Sequence, residues 1–391
     1  MSDRGVDSSM ASTTAAPAPD TGKTGERRPI EIGKILLEGR AFLALVVIFV
    51  VFSVLAPKAF PTFENVVAMT QQVSVYAIIS IGMLVVILNG GIDLSVGSTL
   101  GLAGMVTGLS IRGLHLPGGT TAYPPVWAVV IIALTAGALV GLVNGLLVAR
   151  LKVAPFVATL GTLYVVRGLA LLSNNGLTVN DLDGDPALGN QGFAWLGFNS
   201  IVGIPVGIWV LVVVAILASL VLNRTVYGRW LYASGGNERA AELSGVPVRQ
   251  VKVRAYVISG VLAAVAGVIL TSRLTSAGPT QGTSYELTAI AAVVIGGAAL
   301  SGGRGNVRGT LLGAFVIGFL AAGLTIVDVS AYVQTVFTGA VIVLAVLLNS
   351  VQYRGRARRR QNGAGNPPPP ASPKTDTAAA TDRTVLEKSA G

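Results

Sequence analysis

Side chains able to take part in a reaction are few in this chain of 391 amino acids. Cysteine is absent, His115 is the one histidine, and Asp, Glu, Lys and Arg together make up 12% of the residues. A thiol nucleophile, a disulfide framework and a Cys/His zinc site are therefore excluded. The acidic triplet Asp181, Asp183 and Asp185 lacks the rest of a calcium-loop pattern, so we expect a solvated loop there and no metal site.

Polar residues cluster first in the stretch NGGIDLSVGS at 89–98, between two apolar segments. Glycine-interrupted membrane segments are places where helices break and leave free N–H groups that can hold polar ligands. Asp93 can cap the helix that follows, by accepting a hydrogen bond from a backbone N–H two or three residues on, or it can face a solute path. The two roles are compatible. Our hypothesis is that Asn89, Asp93 and Ser95 shape a conduction path.

A second cluster lies in the loop 224–254, where residues 235–247 have the sequence GGNERAAELSGVP. Asn237 or the glycines before it can start a short helix, and Gly245 followed by Pro247 ends it. Such a helix can dock on a soluble partner, or it can lie on the bilayer surface or under a helix bundle. The residues to which we assign a docking role are Gly235, Gly236, Asn237, Glu238, Ala240, Ala241 and Gly245.

The elements that must position these clusters are apolar segments of membrane length. Hydrophobic residues make up 52% of the chain and the mean hydropathy is +0.69, whereas charged residues are about a quarter of an ordinary soluble domain. Lipid offers no hydrogen bonds, so segments that cross ~30 Å of hydrocarbon must be helices. We predict an all-α, polytopic membrane helix bundle of about ten transmembrane helices, at 41–57, 66–88, 95–111, 126–149, 153–173, 204–223, 255–272, 286–300, 307–327 and 331–349.

The positive-inside rule predicts the side of each loop. With the N-terminus inside, all but four of the 28 Lys and Arg residues fall on the cytoplasmic side. The four exceptions are Lys58, Arg112, Arg167 and Arg273. Both termini are therefore predicted to be cytoplasmic. The net charge of +10 follows from this topology, so nucleic-acid binding is not needed to explain it.

Composition divides the chain into three regions. Residues 1–40 are rich in Ser, Thr, Ala, Pro and Gly and hold no early apolar stretch of the kind a secretory signal needs, so we expect a disordered cytoplasmic tail. Residues 41–350 form the transmembrane domain with its cytoplasmic loop 224–254. Residues 351–391 are basic and rich in proline, and we predict a second disordered cytoplasmic tail.

Small residues recur at four-residue spacing on several predicted helices. In lipid this spacing lets helix backbones approach closely, which indicates tight bundle packing or helices that slide and tilt against each other. The positions are Gly97, Gly101, Gly104, Gly108, Gly137, Gly141, Gly145, Gly309 and Gly313. A further glycine cluster, IGGAALSGGRGN at 295–306, is similar to the stretch at 89–98 in the pattern GG..LS.G.

Three of these motifs together resemble one family: GGIDLSVGS, the helix-forming loop segment, and IGGAALSGGRGNVRGTLLGA. Over residues 40–350 the chain resembles the membrane permease subunit of bacterial ATP-binding-cassette (ABC) importers for monosaccharides, the ribose, xylose and galactose group. In such permeases two alanines, three variable residues and a glycine form a coupling helix that fits a groove in the ATPase. Ala240, Ala241 and Gly245 match that spacing, and Arg239 stands where the family usually has glutamate.

The resemblance implies an assembly in the bacterial cell membrane. Two copies of the permease would pair within the lipid, two ATPase subunits beneath them would bind ATP and Mg²⁺, and an extracytoplasmic binding protein would deliver a monosaccharide such as ribose or xylose. The chain itself would bind no cofactor and catalyse no reaction. Its role would be to form the translocation pathway.

Three other functions remain open at the level of sequence. An ion-driven secondary transporter usually couples through buried ionisable groups, and the central helices offer almost none beyond Asp93. A channel or structural membrane protein would have no obvious use for the loop helix. A member of the same family would carry another solute, such as a branched-chain amino acid, a purine nucleoside or a signalling furanose.

Overall fold

The computed structural model describes residues 39–115, 118–341, 343 and 347 of the chain. The tails predicted at 1–40 and 351–391 lie outside these residues, apart from residues 39 and 40. Helices dominate the described part, and those that follow Arg40 belong to one unit. The helical prediction is confirmed in this coarse form, with three small β-ladders in addition.

Helices follow one another along most of the described chain. They are α1 (Arg40–Leu55), α2 (Phe63–Leu88), α3 (Val96–Arg112), α4 (Val126–Ala149), α5 (Pro155–Leu172), α6 (Trp195–Phe198), α7 (Val206–Arg224), α8 (Val226–Gly236), α9 (Glu238–Leu243), α10 (Val248–Leu274), α11 (Tyr285–Ile295), α12 (Val307–Ile326) and α13 (331–341). Each predicted apolar segment overlaps one of these helices. Among the described helices, six are long and apolar enough to cross a membrane, namely α2, α4, α5, α7, α10 and α12.

Side chains that accept hydrogen bonds start several of these helices. Thr62 caps α2, Thr225 caps α8 through the Gly228 amide at 3.2 Å, and Asn306 caps α12 through the Gly309 amide at 2.8 Å. The first N–H groups of a helix have no partner within it, so such caps fix where the helix begins.

The helix α2 is the central helix of the bundle. In an 18-residue apolar window of each helix, 83% of α2 and 61% of α10 is buried inside the protein, against 22% of α4 and of α7. The apolar side chains on the outer faces of α4 and α7 are exposed within the described part of the chain. Such faces are typical of helices that contact lipid or another subunit.

The glycines of α4 let this helix pack directly on α10. A Cβ atom at Gly141 would lie 2.3 Å from the carbonyl oxygen of Tyr256, and one at Gly137 would lie 2.4 Å from that of Gly260. Both contacts involve backbone, which cannot rotate away, so only glycine permits this approach. Gly313 of α12 approaches the backbone of α11 in the same way. The packing interpretation of the glycine spacing is confirmed at these positions.

Two-residue antiparallel ladders join the loops: β1 (Leu114–His115) pairs with β2 (Thr121–Ala122), β3 (Val179–Asn180) with β6 (Ser276–Ala277), and β4 (Ser200–Ile201) with β5 (Ile204–Pro205). The second ladder ties the loop 174–203 to the segment after α10. Phe193 of that loop is fully buried, and its carbonyl oxygen accepts a hydrogen bond from Ser272 Oγ at 2.6 Å. The loop predicted to be solvated is therefore partly buried, although Asp181, Asp183 and Asp185 are exposed as expected.

Candidate functional site

The short helix predicted in the loop 224–254 is present as α9, Glu238–Leu243. The Asn237 side chain caps it, because Oδ1 accepts a hydrogen bond from the Ala240 amide at 3.0 Å. Gly245 follows with a φ of +82°, a left-handed conformation that favours glycine just after a helix. The start and stop signals in the sequence therefore predicted this element correctly.

One face of α9 presents an apolar side chain to solvent. Leu243 is 83% exposed and Ala240, one turn earlier, is exposed as well, whereas Ala241 is buried. On another side, Glu238 forms an ion pair with Lys252 of α10 at 2.6 Å. The helix is thus held at one side and leaves Ala240 and Leu243 accessible, which is the arrangement a docking surface needs.

Of the two helix starts that the sequence left open, Asn237 is the one observed, and Gly235 and Gly236 end the preceding helix α8. There they meet two glycine turns, one after α2 and one before α12. A Cβ atom at Gly235 would lie 1.7 Å from the carbonyl oxygen of Leu88, which itself accepts a hydrogen bond from the Gly303 amide at 2.9 Å. We call this contact the glycine junction, and its members are Gly90, Gly235, Gly236, Gly302 and Gly303.

The two turns of the glycine junction require glycine for reasons of backbone conformation. The φ angles of Gly90, Gly302 and Gly303 are +78°, +90° and +71°, in the left-handed region that other residues rarely adopt. A Cβ atom at Gly302 would lie 2.7 Å from Gly235 O and 2.9 Å from Gly90 N. The two motifs that are similar in sequence therefore contact each other at the end of α8.

Side chains strengthen the connection of α8 to both turns. Asn89 Nδ2 donates a hydrogen bond to Ser234 Oγ at 3.3 Å, and the Tyr232 hydroxyl donates one to Gly305 O at 2.8 Å. Burial raises the pKa of the Tyr232 phenol, so this group stays protonated and remains a donor. The element that carries α9 is consequently linked to the end of α2 and to the turn before α12.

Asp93 is the buried centre of a hydrogen-bond cluster that joins three helices. Its Oδ1 accepts from the Ser95 amide at 3.0 Å and from Ser95 Oγ at 2.7 Å, while Oδ2 accepts from Ser259 Oγ of α10 at 2.8 Å. Ser95 Oγ in turn accepts from Asn144 Nδ2 of α4 at 2.8 Å. Asp93 does accept from a backbone amide two residues further on, but that amide belongs to Ser95, which precedes α3, and α3 begins without a side-chain cap.

A cavity of about 350 Å³ opens beside the glycine junction and α9. Asn89, Ser234, Lys252 and Tyr256 are among the side chains that line it. Two of its buried polar atoms, Asn89 Oδ1 and the Tyr256 hydroxyl, have no hydrogen-bond partner within the described residues. Such orphaned atoms normally bind water or a ligand.

The three predicted path residues therefore differ in position. Asn89 lines the cavity, whereas Asp93 and Ser95 are each 1% exposed and do not line it. Sequence reasoning missed Tyr256, Asn144 and the hydroxyl of Ser259. The available signal was the presence of polar side chains within otherwise apolar segments, which are costly in a membrane and often functional.

We expect Asp93→Ala to destabilise the protein, because it would leave the hydroxyls of Ser95 and Ser259 without their acceptor. Each buried polar group left unpaired costs about 1–3 kcal/mol, so the unfolding temperature in detergent should fall clearly. Asp183→Ala is a matched control, since Asp183 is exposed. Equal unfolding temperatures of the two variants would contradict a structural role for the cluster.

Comparison with known proteins places this arrangement in a family. Residues 65–346 match the family described as the permease component of branched-chain amino acid transport systems. The chain belongs to this permease family. The chain also matches curated relatives over almost the whole length of those relatives. No solved structure gives a significant match. The resemblance seen in the sequence is thus confirmed.

The curated relatives include sugar permeases of several bacteria. The permease is 42% identical to a ribose import permease protein of Haemophilus influenzae, over 83% of this chain and 97% of the relative. It is 43% identical to the ribose import permease protein of Bacillus subtilis, over 83% of this chain and 96% of the relative. An L-arabinose transport system permease protein of Escherichia coli is 33% identical, over 90% of this chain and 99% of the relative.

These relationships establish the class of protein. The permease is a multi-pass protein of the cell membrane and the transport component of an ABC importer, not an enzyme. ATP hydrolysis belongs to a separate subunit, and the family implies an ATPase and an extracytoplasmic binding protein as partners. Within the described residues, no group of three or more His, Cys, Asp or Glu side chains is placed to hold a metal ion.

Proposed function

We propose that the permease forms the membrane pathway of an ATP-driven, binding-protein-dependent importer for ribose or a closely similar monosaccharide. The observation that carries this proposal is the identity of 42–43% to ribose import permeases of Haemophilus influenzae and Bacillus subtilis. Permeases for L-arabinose and D-allose are 33% and 34% identical. The family name refers to branched-chain amino acids, so that solute class is the competitor to be tested.

The topology proposed for the permease has ten transmembrane helices and both termini in the cytoplasm. It is supported by the position of basic residues, since all but four of the 28 Lys and Arg residues lie on one side in this arrangement. Helices α8 and α9 and the glycine junction are then cytoplasmic, and the tails 1–40 and 351–391 extend from the same face. Two permeases pair in the membrane, with exposed apolar faces such as that of α4 in contact with lipid or with the second copy.

The coupling role proposed for α9 is supported by its shape. The helix is capped by Asn237, anchored by buried Ala241 and held by the ion pair of Glu238, while Leu243 is exposed to a partner. The ATPase, which binds ATP and Mg²⁺, receives this helix in a groove. Gly245 ends the helix. Within the glycine junction, the backbone of Gly235 and Gly236 is in close contact with the turns after α2 and before α12, so a movement of α9 is transmitted to both turns.

The pathway residues proposed here act in two ways. Asn89 and Tyr256 line the cavity of about 350 Å³ at the cytoplasmic end, where their unpaired polar atoms offer hydrogen bonds to the hydroxyls of a leaving sugar. Asp93 and Ser95 hold the turn that carries Asn89 against α4 and α10. A displacement of α9 and α8 therefore reshapes this exit through the glycine junction.

We expect Leu243→Asp to abolish docking of the ATPase. Placing a carboxylate in a desolvated apolar contact costs about 2 kcal/mol or more, so at least about tenfold less ATPase should co-purify with the tagged permease. Ala240→Asp should act in the same direction. Ala241→Asp is a poorer test, since Ala241 is 5% exposed and a charge there would disturb folding.

Leu188→Asp is the matched control for this experiment. Leu188 is also an exposed leucine, at 42%, but lies in the loop 174–203 on the opposite side of the proposed membrane. Wild type and this control should retain the ATPase. Retention of the ATPase by Leu243→Asp and Ala240→Asp at the wild-type level would exclude α9 as the coupling helix.

A further inference from the structure

A groove of about 670 Å³ lies between the end of α4 and the start of α10, apart from the cavity described above. Three arginines and three apolar side chains line it together with Gln250, and no acidic residue of the described part of the chain does. The lining residues are Leu142, Leu146, Arg150, Arg249, Gln250, Val253 and Arg254.

Along α4, the apolar side chains of this groove come first and the arginine follows at the end of the helix. Leu142, Leu146 and Arg150 are spaced by four residues, so they lie on one face of the helix and its extension. Leu142 lies deepest along α4, while Arg150 follows the last helical residue. The groove therefore runs from apolar to basic toward the end of the helix.

On the other wall, Arg249 and Arg254 belong to the first two turns of α10. All three arginines of the groove are exposed. Within the described residues the ion pair that is present joins Lys252 to Glu238 and includes none of the three. Arg249 also borders a neighbouring groove that contains Glu242, but Arg150 and Arg254 do not. Within the described part of the chain, the groove therefore keeps its positive charge without an ion-paired carboxylate.

We propose that this groove binds an anionic phospholipid of the inner leaflet. The phosphate contacts Arg150, Arg249 and Arg254, whose guanidinium groups suit phosphate geometry, and an acyl chain lies along Leu142 and Leu146. This assignment rests on the proposed cytoplasmic position of the loop 224–254, which places the arginines at the level of lipid headgroups.

The groove fits this occupant better than two others. A free phosphate ion would leave the apolar half of the groove without a contact. A second copy that met this groove with its own groove would place three arginines against three arginines, which is unfavourable electrostatically. An amphipathic anion with an acyl chain satisfies both halves at once.

The test is the thermal stability of the purified, full-length permease in detergent during titration with phosphatidylglycerol. Wild type should be stabilised with a saturating dose dependence, and phosphatidylcholine and inorganic phosphate should produce no comparable shift. The triple variant Arg150→Gln, Arg249→Gln, Arg254→Gln should bind at least about tenfold more weakly, since each basic side chain near an anionic headgroup contributes about fivefold. Its unfolding temperature without lipid should remain that of wild type, because all three side chains are exposed.

A charge-matched control distinguishes a site from general attraction. The triple variant Arg224→Gln, Arg229→Gln, Arg308→Gln removes three exposed charges that the topology also places in the cytoplasm. It should keep the wild-type response within about twofold, because a bound headgroup is contacted within only a few ångström. An equal loss in both triple variants, or an equal shift with phosphate or with phosphatidylcholine, would overturn the proposal. Failure of the ATPase to co-purify would contradict the coupling role of α9, but it would leave the lipid site in this groove unaffected.

Discussion

The substitution Gly235→Ala is expected to disrupt the cytoplasmic face of the permease and to abolish uptake. Its Cβ atom would lie 1.7 Å from Leu88 O and 2.6 Å from Gly303 N, two atoms already joined by a hydrogen bond of 2.9 Å. All of these contacts are with backbone, so relief requires α8, α2 and the turn before α12 to separate. Overpacking of this kind costs about 3 kcal/mol or more, and we expect a large fall in the unfolding temperature and in the yield of monodisperse protein.

Gly236→Ala is the matched control for this prediction. No atom lies within 4 Å of the position that its Cβ would occupy, and its φ is an ordinary one. Alanine at such a position should be neutral or stabilise by about 0.4–1 kcal/mol, because it restricts the unfolded chain. If Gly235→Ala unfolds at the same temperature as Gly236→Ala and transports normally, α8 does not contact Leu88 as closely as described.

The substitution Gly141→Val is expected to separate α4 from α10. A Cβ atom there would lie 2.3 Å from Tyr256 O and 2.8 Å from the Cα of Val257, and valine adds two further methyl groups. A shift of α10 would also weaken the hydrogen bond that Asp93 accepts from Ser259, since Ser259 lies one turn beyond Tyr256. The combined effect should exceed about 3 kcal/mol and remove folded permease from the membrane fraction.

Gly161→Val in α5 provides the comparison for this second variant. Both glycines lie inside membrane helices, so the change in helix propensity is the same, but no atom lies within 4 Å of a Cβ at Gly161. Unfolding should be followed by size-exclusion chromatography of heated samples in detergent. Equal stability of the two variants would show that the close packing of α4 on α10 is absent from the folded protein.

Local patterns in the sequence predicted the helical elements well. Apolar length gave the segments of the bundle, and Asn237 with Gly245 gave both ends of α9, because caps act on neighbouring residues. The four-residue glycine spacing on α4 correctly indicated close packing. These signals are contained in short windows of sequence, and the structure differs from them mainly at helix ends, as for α11, which stops at Ile295 and not at 300.

Contacts between distant residues were beyond the reach of such patterns. Asn144 lies 49 residues from its partner Ser95, and Ser259 lies 166 residues from its partner Asp93. No local rule predicts these pairs. The similarity of the two glycine motifs was visible in the sequence. Their contact with Gly235 at the end of α8 was not, because it depends on how three chain segments pack. The partly buried loop 174–203 was likewise missed, since its two-residue strands show no periodicity.

The most direct test of the proposed function is uptake of labelled ribose into proteoliposomes that contain the permease and its ATPase, with the binding protein outside. We predict that uptake requires both ATP and the binding protein. Excess unlabelled ribose should suppress uptake of the label, and leucine should not. Leu243→Asp should abolish uptake, and Leu188→Asp should leave ATP-driven transport in place. Uptake driven by an ion gradient without ATP, or suppression by leucine and not by ribose, would contradict the assignment of the permease to ribose import.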